Sequence, residues 1–281
     1  MNPSTPSYTK QSQALPKTTD LSRKWTKQRI FQREIIFPTI FGILFLLFWE
    51  VRLFHFLFQL ELYQLPVPSD ILQSTLENRS TLMLYTLYTG AEIVGGFLLG
   101  SVLGLIIATL ASLFPSIGGG GVTVVAALNA VPIVALAPIM NNWFGDSISS
   151  RIGVVTILTM ATMTVNVYKG LRSIDGTYLE LMHSYAAKKS QIFLKLRFKH
   201  SLPYIFAALK INMSTSIIGA IVGEFFISSR GLGYLMSDQI QLANMPLAWS
   251  CIVISSLLGI ALYSLVERSE RLFMPWKVFK R

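Results

Sequence analysis

The sequence predicts an all-α integral membrane protein with six transmembrane helices. Three observations carry that expectation. Six apolar stretches come close to or exceed the roughly 20 residues that a helix needs to cross a bilayer. Only 14% of the 281 residues are charged, against roughly 25% in soluble domains, and mean hydropathy is +0.53. The Lys and Arg residues gather in clusters between the apolar runs, the arrangement that sets topology in membrane proteins.

Residues 1–34 read as a polar tail, rich in Ser, Thr, Pro and Gln as far as Thr19 and basic beyond it. Residues 1–22 have the composition of a disordered segment. "RKWTKQRIF" (Arg23 to Phe31) mixes Trp, Ile and Phe with cations, which predicts a short amphipathic helix on the membrane surface. The tail is too long for the n-region of a secretory signal, and a run of full span length follows it. A single transmembrane domain, 35–281, is expected from there, with no second soluble domain.

The expected spans are Ile35 to Phe54, Leu82 to Leu113, Val122 to Met140, Gly153 to Val167, Tyr204 to Ile227 and Leu247 to Val266. The second places Gly96, Gly100, Gly104 and Ala108 four apart, on one helical face, so that another helix can approach closely. The third contains Pro132 and Pro138 and should be bent or broken. Membrane helices tolerate this where neighbours or water satisfy the freed carbonyls.

All Lys and Arg residues but Arg52, Arg79, Arg151 and Arg230 fall in the N-terminal tail, in 168–210 or at the C-terminus. Six spans with both termini and residues 168–203 in the cytoplasm satisfy the positive-inside rule; five or seven would not. Cation clusters between apolar runs report topology, so the net charge of +10 does not indicate a nucleic-acid partner. Cys251 stands alone, which excludes an internal disulfide, and reads as a small buried hydrophobe.

The loop 172–203 is more than a basic tether. In "DGTYLELMHSYAAKKSQIFLKLRFKHSLPYIFAALK" (Asp175 to Lys210), Thr177 and Glu180 have the spacing of a capping box. Leu181 and Tyr185, and Met182 and Ala186, recur four apart; Ile192, Phe193 and Leu196 continue an apolar side after a polar break. Two short helices with a docking face are expected, and a soluble protein should bind there.

This loop resembles the coupling loop of ABC importer permeases, whose pattern is Glu-Ala-Ala, three residues, Gly, nine residues, then Ile-x-Leu-Pro. Glu180 keeps the Glu; Ala186 stands at the Gly, Leu196 at the Ile, Phe198 at the Leu and Lys199 at the Pro. A second Leu-Pro, found in the nitrate, sulfonate and taurine branch, is present as Leu202-Pro203. "NAVPIVALAPIMNNWFG" (Asn129 to Gly145), "NVYKGLRSID" (Asn166 to Asp175) and "GEFFISSRGLGYLM" (Gly223 to Met236) resemble further segments of that branch. The resemblance runs from about Thr86 to the C-terminus. It implies the type I ABC importer permease fold in the plasma (inner) membrane, with the coupling loop between the fourth and fifth spans. It also implies a second permease copy, cytoplasmic ATP-binding cassette subunits gripping the loop, and an extracytoplasmic binding protein that delivers a small solute. Glu180, Leu181, Tyr185, Ala186 and Leu196 would then couple to the ATPase. No Gly-rich phosphate loop is present, so ATP hydrolysis belongs to a partner and the chain is not itself an enzyme.

Glu92 and Glu224 are the acids within or near spans, and intramembrane ionisable groups are functional candidates. Glu224 should lie near the outer end of its helix, in contact with water. Asn129, Pro132 and Asn212 join them as pathway or gate candidates, the Asn residues being equally able to bond across helices. His55, His183 and His200 lack metal-ligand spacing, and no cofactor is expected. With no cation at a span centre, a neutral solute such as a pyrimidine-like vitamin precursor fits better than nitrate or a sulfonate. A secondary transporter or channel of six spans is the competing class, but it leaves the loop unexplained and no inverted repeat is apparent.

Overall fold

A computed structural model of the chain describes residues 36–275. The expected surface helix at Arg23 to Phe31 and the last cations, Lys277, Lys280 and Arg281, lie outside them. The chain separates into two compact units, Met1–Leu60 and Glu61–Arg281. In the first, the apolar helix α1 (Ile36–Glu50) is followed by α2 (Leu53–Phe58). Arg52, in the left-handed region, makes the turn between them, and Phe45 of α1 meets Phe54 of α2 at 5.2 Å between ring centres.

The second unit is helical throughout its regular structure. α3 (Pro68–Glu77) precedes α4 (Arg79–Leu113), α5 (Pro115–Ala127), a 3₁₀ turn (Leu128–Ala130), α6 (Ile133–Phe144), α7 (Ile148–Arg172) and α8 (Gly176–Ser184). α9 (Lys189–Gln191) runs through a π-helical stretch (Ile192–Arg197) into α10 (Phe198–Ile227); α11 (Leu232–Gln241) and α12 (Met245–Phe273) complete the chain.

Among the described residues, four helices are long and apolar enough to cross a membrane: α4, α7, the α9–α10 helix and α12. The α5–α6 pair supplies a fifth, bent by 100°. Six spans were expected; α1 falls among the shorter apolar helices and does not meet the length by itself. The break comes at Pro132, which holds extended backbone ahead of α6, whereas Pro138 lies within α6 without ending it. Contacts with α7 show that the pair traverses the bundle: Gly119 lies beside Tyr168, Thr162 donates to Asn129 at 3.2 Å, and Met140 packs over Gly153. The chain thus travels the length of α7 in the opposite sense and does not turn back. α7 itself extends well beyond the expected Gly153 to Val167; in its first turn Ser150 is buried and Arg151 finds a partner in Glu92 of α4.

The glycine stripe of α4 packs against α7 of the same chain. Gly96, Gly100, Gly104 and Ala108 are buried, and a Cβ at Gly100 would strike Thr159 and come within 2.5 Å of the Thr156 carbonyl. The close approach lets Thr159 and Thr164 donate to the carbonyls of Gly96 and Gly104, at 3.2 and 3.4 Å. The stripe is therefore used inside one copy. α4 and α7 run parallel, and α10 runs antiparallel between them. Ile93, Phe97, Val155, Met213, Ala220 and Val266 form the core where α4, α7, α10 and α12 meet.

Candidate coupling site and buried polar clasp

Beyond the C-terminus of α7, the chain leaves the bundle and forms α8. Asp175 caps this helix by accepting the Thr177 backbone N–H at 2.8 Å, so the expected Thr177–Glu180 capping box does not form. The N–H that such a box would use is already taken. This hydrogen bond holds the Asp175 carboxyl below the usual aspartate range.

α8 ends in a Schellman motif. Ala187 N–H donates to the Met182 carbonyl at 3.0 Å and Ala186 N–H to that of His183 at 2.8 Å. Ala186 sits at φ +50°, in the left-handed region where glycine is preferred. That is the position at which the resembling family pattern carries Gly, so the bend survives the replacement. In place of a second short helix, the chain then enters a helix continuous with the fifth span. Gln191 accepts the Lys188 N–H at 2.8 Å to start it.

Tyr178, Leu181 and Tyr185, spaced three and four apart on one face of α8, are exposed (59%, 53% and 77%). Glu180 and Ala186 are exposed beside them, and Leu196 is half-buried. Leu194, one turn along the following helix, is 61% exposed. Phe193, expected on the docking side, instead packs into the bundle against Val167, Leu171 and Ile205, and Ile192 beside it is buried, anchoring the loop. Lys188, Lys189, Lys195 and Lys199 stay exposed around the patch.

At the opposite end of the bundle lies a buried polar clasp. Arg151 Nε donates to Glu92 Oε1 at 3.0 Å and its Nη1 to Asp146 Oδ1 at 2.7 Å. Ser229 Oγ donates to Asp146 Oδ2 at 2.7 Å, which, with Arg151, holds that carboxyl below its ordinary range. Glu224 accepts from Thr89 Oγ1 and from the Gly233 N–H, both at 2.7 Å, and Thr89 Oγ1 in turn accepts the Leu232 N–H at 2.9 Å. Gly231, at φ +103°, presses on the Glu224 carboxyl so closely that a side chain has no room. Two residues of α4 thus bind the 228–233 segment, Thr89 directly and Glu92 through Arg151 and Asp146. Glu224 is fully buried, not exposed to water at its helix end as expected. Asn212 is likewise fully buried and donates to Ser101 Oγ and the Thr159 carbonyl, both at 3.0 Å, tying α10 to α4 and α7. Asn129 and Pro132 are exposed at the break in the α5–α6 span.

Sequence reasoning counted Arg151 only as a topology marker and passed over Thr89 and Asp146. A cation two residues ahead of an apolar run was the available signal for Arg151; nothing local marks the other two. An open groove of about 690 Å³ lies between α10 and α12, lined in part by Ser214, Ser255, Ser256, Gly259, Tyr263 and Ser264.

A bundle of this topology, with a short helix held outside the spans, is the fold of a type I ABC importer permease. The chain belongs to the family described as binding-protein-dependent transport system inner membrane component, whose model matches residues 100–274, and it is a membrane-spanning permease subunit of an ATP-binding cassette importer. It is 32% identical over 243 residues to the formylaminopyrimidine transport permease protein ThiX of Halalkalibacterium halodurans, covering 85% of this chain and 95% of the relative. The putative aliphatic sulfonates transport permease protein SsuC of Bacillus subtilis is 28% identical, over 65% of this chain and 66% of its own. The fold is also that of a chain in the MetNI methionine ABC transporter, with a TM-score of 0.60 at 17% identity, covering 70% of this chain and 98% of that one.

Proposed function

We propose that the exposed face of α8 is the docking surface for a separate ATP-binding cassette subunit, which hydrolyses ATP and drives the permease through its two states. The observation that carries this reading is the Tyr178, Leu181, Tyr185 stripe, left exposed on a helix that lies beyond the spans and is capped at both ends. Glu180, Ala186 and the half-buried Leu196 belong to the same contact. A lipid tether would need the surrounding lysines and would not need the stripe. In this reading the α8 end faces the cytoplasm with both termini, and a second copy of the chain and an extracytoplasmic binding protein complete the importer. The break at Asn129 and Pro132 is where the bent span flexes, and the clasp around Glu92 and Glu224 holds the outer 228–233 segment.

For the solute, we assign the groove between α10 and α12 to the pathway. Among the described residues, no charged side chain lines it. Ser255, Ser256 and Ser264 spend their protons on carbonyls one turn back, at 2.7 to 2.8 Å, so they offer the groove lone pairs only. With these acceptors and no fixed cation in its lining, such a wall suits a neutral solute with N–H donors, such as an aminopyrimidine, better than nitrate. The name of the Halalkalibacterium relative agrees with that class.

Leu181→Asp and Tyr185→Asp, measured against the double variant Lys188→Ala/Lys189→Ala, test the docking. A charge desolvated without a partner costs several kcal/mol, so each Asp variant should insert normally yet lose more than about tenfold in recovered ATPase. The lysine variant should keep it. Full recovery with both Asp variants, or loss confined to the lysine variant, defeats the reading. High-affinity nitrate uptake dependent on this chain would defeat the solute assignment alone.

A further inference from the structure

The clasp at the end opposite α8 contains more acceptors than donors. Glu92, 1% exposed, gives Oε1 to Arg151, while its Oε2 has no donor among the described residues. The neighbouring carboxyl is that of Glu224, fully buried and held by Thr89, one turn ahead of Glu92 on α4. Two ionised carboxylates cannot hydrogen-bond to each other, and in a site sealed from water their repulsion is poorly screened. The surrounding groups do not supply the missing charge. Arg151 of α7 is a single cation, already divided between Glu92 and Asp146. Arg230, on the 228–233 segment, acts on Asp146, and its guanidinium donates to Tyr88 at 3.1 Å. The titratable group that α12 turns toward Glu224 is Cys251, which brings no positive charge.

We propose that Glu92 and Glu224 form a proton-binding site and hold one proton between them, an O–H of one carboxyl donating to the other. The bound proton supplies the missing donor for Glu92 Oε2. It leaves the core with one carboxylate opposite one guanidinium, and closes a hydrogen-bonded ring through α4, α7, α10 and the 228–233 segment. Like-charged carboxyls sharing a site behave in this way when burial is deep.

The test uses the full chain purified in its complex. Glu92→Gln and Glu224→Gln each replace the shared proton with an amide hydrogen and keep the charge count, so both should melt close to the unsubstituted protein. Glu92→Ala and Glu224→Ala should melt well below it. Infrared spectra at neutral pH should show a carboxylic-acid carbonyl band in the unsubstituted protein that is missing from both Gln variants. Absence of that band from the unsubstituted protein, its persistence in both Gln variants, or Gln variants that melt as low as the Ala variants would each overturn the proposal.

Discussion

Arg151 and Glu92 form an ion pair at 3.0 Å in which the side chains are only 5% and 2% exposed. The pair joins α7 to α4 across 59 residues of sequence. Removing Arg151, the single cation of the cluster, leaves buried carboxylate charge uncompensated, which costs about 3–5 kcal/mol. Arg151→Met should therefore lower the stability of the detergent-solubilised protein by that order, read from its denaturation. Asp146, whose side chain is 45% exposed, has water available, so Asp146→Asn should cost under about 1 kcal/mol. Equal losses would show that the buried geometry does not govern the cluster.

The cap of α8 predicts a second asymmetry. Asp175→Ala should speed hydrogen exchange at the first amides of α8, Thr177 above all, because no other side chain takes that N–H. Glu180→Gln should leave exchange unchanged, since Glu180 makes no capping bond. The carboxyl titrates below the ordinary aspartate value of 3.8 in the folded chain. Its contribution is therefore complete above that value and is lost as pH falls through the lowered one. Exchange in α8 that is insensitive to Asp175→Ala would refute the assignment.

Ala186 carries a steric cost of about 1–2 kcal/mol in its left-handed conformation, offset in part by the unfolded-state freedom that glycine would add. Ala186→Gly should order the end of α8 by about 1 kcal/mol, measured as slower exchange of the Ala187 amide, with transport retained. Ala186→Val should loosen the same turn. Faster exchange in the Gly variant would contradict the observed Schellman geometry.

Along α4, substitutions should separate by what a new side chain would meet. Gly100→Val must displace Thr159 and the α7 backbone, and overpacking of this kind costs about 1–3 kcal/mol or more. Gly121→Ala in α5 meets nothing within 4 Å and should be neutral or stabilising by up to about 1 kcal/mol through helix propensity. Melting temperatures of the two variants decide this, and a Gly100→Val protein that melts with the unsubstituted one would rule out the tight α4–α7 crossing.

The membrane character, the spans of α4, α10 and α12, the break near Pro132 and the presence of a helix-forming loop after α7 were all legible in the sequence. Each rests on a local quantity: a run length set by bilayer thickness, a missing backbone N–H, or an apolar period along one helix. What the loop helices bury was not legible, because the apolar pattern of Ile192 and Phe193 is the same whether they face a partner or their own bundle. The α4 stripe announced a close approach without naming α7 as its partner. Glu92 and Arg151, like Thr89 and Glu224, are joined only when parallel and antiparallel helices bring distant turns to one depth. Pairing of that kind depends on which helices pack together and in what register, and only the tertiary structure decides it.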